Sequence, residues 1–593
     1  MNSRRDQILV VLFASLVFFG CMFSPPHLMD DVDATQAQIA RDMITSGDWV
    51  TPHLDGVKYM EKSPLKYWAI AVTYKIVGVH DWAARFPIAL SAVLLCWLVA
   101  CFGQWAFGGR AGLYAGLSLS TCIGLFLFTR VLIPDVMLTL TIALAMWGFL
   151  RALDESEPRP RGWALVSAAA VGTGLLIKGL IAAVFPLAGA ALFLFFTGLW
   201  RKRETWRRLN VVWGVLLAMA IAAPWHILAT LQNPPYFYWS LHAGPGNYHG
   251  FFWFYFFNEH ILRFLNRRYP RDYNTVPRAL FWLFHLLWLF PWSAFFPALV
   301  RLEYRKDDRA SRARLLALCW TGFLLVFFTF SSTQEYYSMP CYPALALLLG
   351  SAMAAENGWL RGGRRAVAVI SVLAAAAIFT ILYLVHGIPA PGDIANALID
   401  RPAKQYTLSL GHMGDLTLRS FAYLRLPLLI AGIAFLVGAG GIVFLRKQLS
   451  SYLAMAVMMV LFVHAARIAM ITFDPYLSSE PLAAALNASP PGKLIVDDSY
   501  YTFSSVFFYS NTSAFLLNGR VNNLEYGSNA PGCPPVFLDD PGFVLKWAQA
   551  ERYYVVAEKP GAERLRKLVG EPALHLVKES GGKFLFTNHA DWN

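Results

Sequence analysis

The sequence predicts a polytopic α-helical membrane protein that ends in a small α/β domain. Three observations carry this. Apolar runs of roughly 20 residues recur over the first 472 positions. Lys and Arg gather in alternate connections between those runs. Beyond position 472 the chain changes to short strand-like and helix-like runs separated by Gly and Pro.

Composition supports the membrane reading. Of 593 residues, 57% are hydrophobic and only 15% charged, and mean hydropathy is +0.46. A soluble domain carries roughly 25% charged residues. The net charge of +13 would suggest nucleic acid in a soluble protein. Here the basic residues concentrate in short connections, where they set orientation, and no nucleic-acid partner is expected. The seven cysteines have neither metal-type pair spacing nor a disulfide framework, and read as small apolar fillers. Arg4-Arg5 ahead of the first apolar run could mark a signal peptide. The absence of a small-residue cleavage site favours an uncleaved anchor.

About thirteen spans are expected, at 7–24, 83–107, 110–128, 135–152, 163–179, 180–200, 209–230, 279–300, 314–331, 340–357, 365–386, 426–445 and 450–472. With a cytoplasmic N-terminus, the dense basic connections fall on one side. They are Arg151 to Arg161, Arg201 to Arg203 with Arg207-Arg208, Arg301 to Arg314, Arg361 to Arg365, and Arg446-Lys447. The opposite side carries the long loops 25–82, 231–278 and 387–425 and the tail 473–593. The division is a membrane domain over 1–472 and an extracytoplasmic domain over 473–593. In the first loop, Asp33 to Met43 reads as an amphipathic helix with a stop at Gly47. The run FFWFYFFNEHILRFLNRRYP suits a helix lying in the interface. In the tail, 493–497, 513–517 and 553–557 read as strands, and 540–550 and 561–569 as helices.

The outer ends of the spans collect ionisable residues, which are costly near the bilayer and therefore candidates for function. Asp30, Asp31, Asp33, Glu61 and Lys62 belong to the first loop. Asp135 follows Pro134 between spans three and four, and Lys178 ends span five. Glu259, His260 and Arg263 lie in the second long loop, and Tyr336-Tyr337 between spans nine and ten. Each has a plain alternative. Asp135 could cap a helix, Lys178 could snorkel to the headgroups, and His260 and Arg263 could hold lipid phosphates without chemistry. Their joint occurrence on one face suits glycosyl transfer from a lipid-linked phosphate. Cations would hold the phosphate, and carboxylates would accept a proton or stabilise an oxocarbenium-like centre. No nucleotide-binding glycine loop is apparent, which disfavours an ATP-driven pump.

The acid pair followed by ARDMITSGDWVTPHLDGVKYMEKSPLKYW resembles the bacterial protein-mannosyltransferase-like membrane glycosyltransferases of the GT-C superfamily, and within them the lipid A 4-amino-4-deoxy-L-arabinose transferases. The resemblance implies Asp31 as the first-loop catalytic aspartate, with Asp30 and Asp33 as rivals, since the acid pair lies one residue further from Ile39 than usual. It implies Glu61-Lys62 as the step whose lysine binds donor phosphate, Asp135 as the second acidic motif and Lys178-Gly179 as the family's Lys-Gly step. Glu259, His260, Arg263, Tyr336 and Tyr337 match more loosely. The chain departs from the family at Ser63, where Pro is usual, at the Asp-Asp pair, and at Gln36 and Gln38.

The expected activity is an inverting transfer from a polyprenyl (undecaprenyl) phosphate sugar to a lipid acceptor at the periplasmic face of the inner membrane, with aminoarabinose and lipid A as the leading pair. A protein hydroxyl or another glycolipid is the rival acceptor. A lipid or glycan transporter is the rival class; its usual signs, internal repeats and polar residues at mid-span, are not evident here. A divalent metal is a further expectation, held by Glu61 and His260, with Asp31, His242 or His249 as other ligands.

Overall fold

The computed structural model describes residues 3–270, 276–331, 334–355, 358–399, 411–445 and 447–590. Arg446, the C-terminal Asn593, and parts of the expected loops 231–278 and 387–425 lie outside these. Each expected span coincides with a helix or a bent pair of helices. Among the described residues, eight helices are long and apolar enough to cross a membrane, and ten spans result if each bent pair counts as one. One pair, Ala111–Ser120 with Ile123–Thr129, bends by 48°, and the other, Arg278–Trp288 with Trp292–Arg301, by 101°. Pro291 lies at the second break, where it lacks the N–H a continuous helix needs. Ser3–Phe18, Ile181–Thr197 and Tyr342–Ala354 fall at the three other expected spans and are shorter, at 16, 17 and 13 residues.

Two ends of the helical bundle are distinguished by what gathers there. The helix Asp135–Leu153 has 19 residues, so its ends lie roughly 28 Å apart at 1.5 Å per residue. At its C-terminal end Arg208 donates to the carbonyl of Ala152 at 2.9 Å, and Arg309 pairs with Asp154 at 2.5 Å. The basic connections thus meet at one end. At the other end the first long loop folds against the tail.

That loop forms the helix Val32–Ser46 and a small hairpin of β1 (His53–Leu54) and β2 (Val57–Lys58). The helix stops where expected, with Gly47 in the left-handed region at φ 75°. The tail forms a six-stranded sheet of β3 (Lys493–Asp497), β4 (Ala514–Leu517), β5 (Phe537–Leu538), β6 (Tyr553–Glu558), β7 (His575–Ser580) and β8 (Lys583–Thr587). Its order is β5-β4-β3-β6-β8-β7. The β5-β4-β3-β6 part is parallel, and β8 and β7 pair antiparallel at its edge. The three strands read from sequence are β3, β4 and β6, and the two helices appear as Asp540–Trp547 and Lys559–Val569. Ile39, Met43, Leu54 and Val57 of the first loop share one buried cluster with Leu482, Val496, Phe507 and Leu516 of the tail. The loop therefore has a hydrophobic reason to stay docked on the sheet.

Candidate active site

The three acids at the start of the loop have three different environments. Asp30 is fixed to the tail: its carboxylate accepts from Lys583 at 2.6 Å, from the Ser479 hydroxyl at 2.5 Å, and from the Ser505 amide and hydroxyl at 2.8 Å. Asp33 is buried and holds backbone. It accepts from the amides of Met29 at 3.2 Å and Leu132 at 3.1 Å, and faces Arg85 at 3.5 Å. Asp31 differs from both. It stands at the N-cap position of Val32–Ser46 with φ 71° and makes no side-chain capping bond. Its backbone is pinned by its N–H to the Tyr501 carbonyl at 2.7 Å and by its own carbonyl, which accepts from Thr35 at 2.6 Å and Ser504 at 3.1 Å. A positive φ at a non-glycine residue is strained, and the surrounding bonds must hold it. Asp31 is exposed. Desolvation by the surrounding protein pushes its carboxyl up from 3.8 to about 7, and the charges of Asp30 and Glu61 add to this.

A second cluster lines a cavity of about 370 Å³. Its polar end carries Lys62, Lys178, Arg263, Glu61, Asp135 and Tyr337, and its apolar wall includes Leu180, Val184, Phe185, Phe264 and Phe327. Lys178 pairs with Asp135 at 2.5 Å and lies 5.3 Å and 4.9 Å from the ring centres of Tyr336 and Tyr337. Tyr336 also lies against Phe128, its ring tilted by 60° at 6.1 Å between centroids. Arg263 donates to Glu259 at 2.8 Å and to the Tyr337 hydroxyl at 3.2 Å. Lys62 pairs with Glu61.

Glu61 is a hub. Besides Lys62, it accepts from the Tyr59 hydroxyl at 2.6 Å and from the Asn523 amide at 2.5 Å, with Arg263 at 3.7 Å and Arg268 at 3.9 Å. Burial alone would raise its carboxyl. The cations Lys62, Arg268 and Arg263 outweigh that and hold it well below the usual carboxylate range. Glu61 therefore stays ionised and arranges the cations around it. Lys62, Lys178, Arg263 and Arg268 are each paired with a carboxylate of Glu61, Asp135 or Glu259. One oxygen of Asp135, Oδ2, is buried without a hydrogen-bond partner.

His260 is structural in this geometry. Its Nδ1 donates to the Tyr255 carbonyl at 2.6 Å, and its Nε2 accepts from the Leu180 amide at 3.1 Å. Burial and these bonds fit a neutral ring, held down at about 4. Gly179, at φ 73°, makes room for it, since a Cβ there would lie 2.3 Å from His260 Nε2. The expected metal pair is corrected on the same ground. Both ring nitrogens of His260 are occupied, the oxygens of Glu61 are taken by Lys62, Tyr59 and Asn523, and no group of three or more metal-type ligands occurs among the described residues.

The sequence reading missed Arg268, Asn523 and Tyr59. Arg268 donates to Glu259 at 2.5 Å and to Asn523 at 2.5 Å. Arg268 was read as part of a basic helix end, and Asn523 lies 462 positions from Glu61, so no local spacing connects them. Ser63, where the family has Pro, donates to the Leu175 carbonyl at 3.1 Å and bonds the Tyr255 hydroxyl. It thereby ties the loop to the span Pro160–Lys178.

Fold and site together define a polytopic membrane glycosyltransferase of the GT-C type. The family described as dolichyl-phosphate-mannose-protein mannosyltransferase matches residues 61–228, a stretch that includes Glu61, Lys62, Asp135 and Lys178. The undecaprenyl phosphate-alpha-4-amino-4-deoxy-L-arabinose arabinosyl transferase of Aeromonas salmonicida is 29% identical over 407 residues, 65% of this chain and 68% of that protein. The enzyme of the same description from Erwinia tasmaniensis is 26% identical, over 69% of this chain and 72% of its own length. The crystal structure of ArnT from Cupriavidus metallidurans bound to undecaprenyl phosphate has the same fold, with a TM-score of 0.79 at 22% identity, over 99% of this chain and 98% of that one. The chain is thus similar to the protein-mannosyltransferase family over 61–228 and to the aminoarabinose transferases over about two thirds of its length, and it shares the ArnT fold.

Proposed function

We propose that this chain transfers 4-amino-4-deoxy-L-arabinose from undecaprenyl phosphate to lipid A, with inversion, at the periplasmic face of the inner membrane. The observation that carries the donor class is the two-ended cavity. One end is apolar and lies along outward-facing residues such as Leu180, Phe264 and Leu265, each about 40–50% exposed. The other holds the cations Lys62, Lys178 and Arg263, held in place by Glu61, Asp135 and Glu259. A polyprenyl chain ending in a singly charged phosphodiester matches both ends. The sugar rests on the relatives' described activity. Lys62 and Arg263 bind the phosphate and stabilise it as it leaves. Lys178 assists from its place beside Asp135, and Glu61 keeps the cations in register. Asp31 acts on the acceptor or the sugar as the reaction's carboxylate. The tail is periplasmic, because it docks on the loop that carries Asp31.

The test is purified full-length protein with undecaprenyl-phosphate aminoarabinose and lipid A, beside mass spectrometry of envelope lipids with and without the intact gene. The expected result is lipid A bearing one added aminoarabinose where the gene is intact. Transfer to a protein hydroxyl or to another glycolipid instead, with lipid A unmodified, would overturn the acceptor assignment.

A further inference from the structure

One buried ion pair stands directly beside the open acid of the loop. Lys583, the first residue of β8, is 7% exposed. Its ammonium donates to Asp30 Oδ2 at 2.6 Å and to the Ser479 hydroxyl at 3.1 Å. The turn before it is wedged in place. Gly581, at φ 63°, would bring a Cβ within 1.8 Å of the Pro475 carbonyl oxygen, and its N–H donates to Asp393 at 2.7 Å. Lysines are rarely this buried, and a buried pair is weak ground for stability, because desolvation offsets most of the attraction. What distinguishes this pair is its neighbour. The residue after Asp30 is Asp31, whose backbone is pinned separately by Tyr501, Thr35 and Ser504. The charges that face Asp31 are those of Asp30 and Glu61, both negative, while Asp33 lies against Arg85 at 3.5 Å. Glu61 has three cations around it, Lys62, Arg263 and Arg268. Asp30 has, among the described residues, Lys583 alone.

We propose that Lys583 is a positioning residue of the reaction: by offsetting the charge of Asp30 it lets Asp31 carry its own, so that the tail sets the pH range in which the loop's open acid is ionised. The inference rests on the reading of Asp31 as the reaction's carboxylate. Without Lys583, Asp30 keeps its bonds from Ser479 and Ser505, and its negative charge faces Asp31 uncompensated. A like charge disfavours ionisation of the second carboxyl. Desolvation already raises the Asp31 carboxyl to about 7, with Asp30 and Glu61 adding to it. A further rise leaves Asp31 mostly protonated at neutral pH.

The test measures transfer from undecaprenyl-phosphate aminoarabinose to lipid A against pH, with the full chain in detergent micelles. In Lys583→Met the acid limb of the rate should move up by about one pH unit, the effect of one charge several ångströms away in a partly wet site. Lys583→Arg should keep the limb near its wild-type place. Lys583→Met combined with Asp30→Asn should return it there or below, since both charges are gone. Because Lys583→Met could insert poorly, Asp30→Asn is also measured alone, and its limb should move to lower pH. A limb that stays put in Lys583→Met or in Asp30→Asn would overturn the inference, as would an equal shift in the single and the combined Lys583→Met proteins. The Tm of each variant against pH, less that of the same variant carrying Asp31→Asn, follows the Asp31 carboxyl without any turnover. That difference should shift together with the limb. If it shifts and the rate does not, Asp31 is not the reaction's carboxylate and the role of Lys583 falls with it. If it does not shift, the link between Lys583 and Asp31 is itself refuted.

Discussion

The side-chain amide of Asn523, in the C-terminal domain, donates to Glu61 Oε2 at 2.5 Å, while its carbonyl oxygen accepts from Arg268 at 2.5 Å. One residue of the tail thus spans an anion of the first long loop and a cation of the second. Its position is set by a close approach. The helix Asn522–Ser528 lies on β2, and a Cβ added at Gly527 would lie 1.9 Å from the Lys58 carbonyl oxygen. Domain docking and cation placement are therefore one geometric fact.

Asn523→Ala leaves Glu61 and Arg268 each one bond short. Loss of a bond to a charged group costs about 1.5–3 kcal/mol, so donor binding should weaken roughly tenfold or more. Gly527→Ala should act in the same direction from a distance, since the helix has to lift off the Lys58 carbonyl. Titration of both variants with undecaprenyl phosphate checks this, and wild-type affinity in both would remove the bridging role.

Lys62→Ala should weaken binding of the donor phosphate by about 1.5–3 kcal/mol. Lys62→Arg should restore only part of it, because an ammonium is a compact point charge and a guanidinium a planar fork. Arg263→Ala is the parallel measurement. Unchanged donor affinity in both alanine variants would take the phosphate away from this pair.

Much of this was legible in the sequence because it depends on local pattern. The spans follow from runs of apolar residues, and the helix after Asp31 from its periodicity and the Gly47 stop. The strands β3, β4 and β6 have apolar, buried centres with charged residues only at the ends of β3 and β6, as buried parallel strands tend to have. The β7–β8 hairpin was not legible. β7 alternates exposed and half-buried residues at the sheet edge, and carries Lys578 and Glu579. The helices at the three short expected spans are shorter than their apolar runs, since hydropathy does not register where a helix ends against neighbours. The roles within the acid triplet depend on tertiary partners. Asp30 is distinguished from Asp31 by Lys583, 553 positions away, and nothing near position 30 announces that.

Reporter fusions after Asn593 and at Pro391 should read as periplasmic, and fusions near Arg207 and Arg309 as cytoplasmic. The warrant is the meeting of Arg208 and Arg309 with the end of Asp135–Leu153 remote from the cavity. A cytoplasmic reading at Asn593 would place the tail on the wrong side from Asp31 and end the proposed orientation.

Asp31 also predicts a pH dependence of stability. Its carboxyl is raised in the folded chain from 3.8 to about 7, so the folded state holds the proton more tightly than the unfolded chain. That contribution is fully present below about pH 4 and is lost as pH rises through 7. Asp31→Asn resembles the protonated form. Its Tm should exceed the wild-type value at pH 8, and the two should converge near pH 4. Equal Tm values across the range would mean that the folded protein leaves Asp31 unperturbed.

The same substitution should abolish transfer. Asn is close in size to Asp, and the backbone bonds from Tyr501, Thr35 and Ser504 do not involve the side chain. Asp31→Asn should therefore insert and fold. Asp30→Asn and Asp33→Asn should behave differently, losing stability first, since Asp30 pairs with Lys583 and Asp33 holds the Met29 and Leu132 amides. Asp135→Asn should lower transfer by a smaller factor through its partner Lys178. What Asp31 contributes depends on the acceptor. With a hydroxyl acceptor it takes the proton, a step worth roughly 10²–10⁴-fold. The rate should then fall on the acid side of about pH 7, where the carboxyl protonates, and that limb should be missing from any residual rate of Asp31→Asn. With an ionised phosphate acceptor no base is needed, and the carboxylate stabilises positive charge at the anomeric carbon. The residual rate of Asp31→Asn is then the same with a hydroxyl-bearing and a phosphate-bearing acceptor, whereas a base would spare the phosphate. An Asp31→Asn protein with wild-type turnover on both acceptors would show that the one open acid of the loop takes no part in the chemistry.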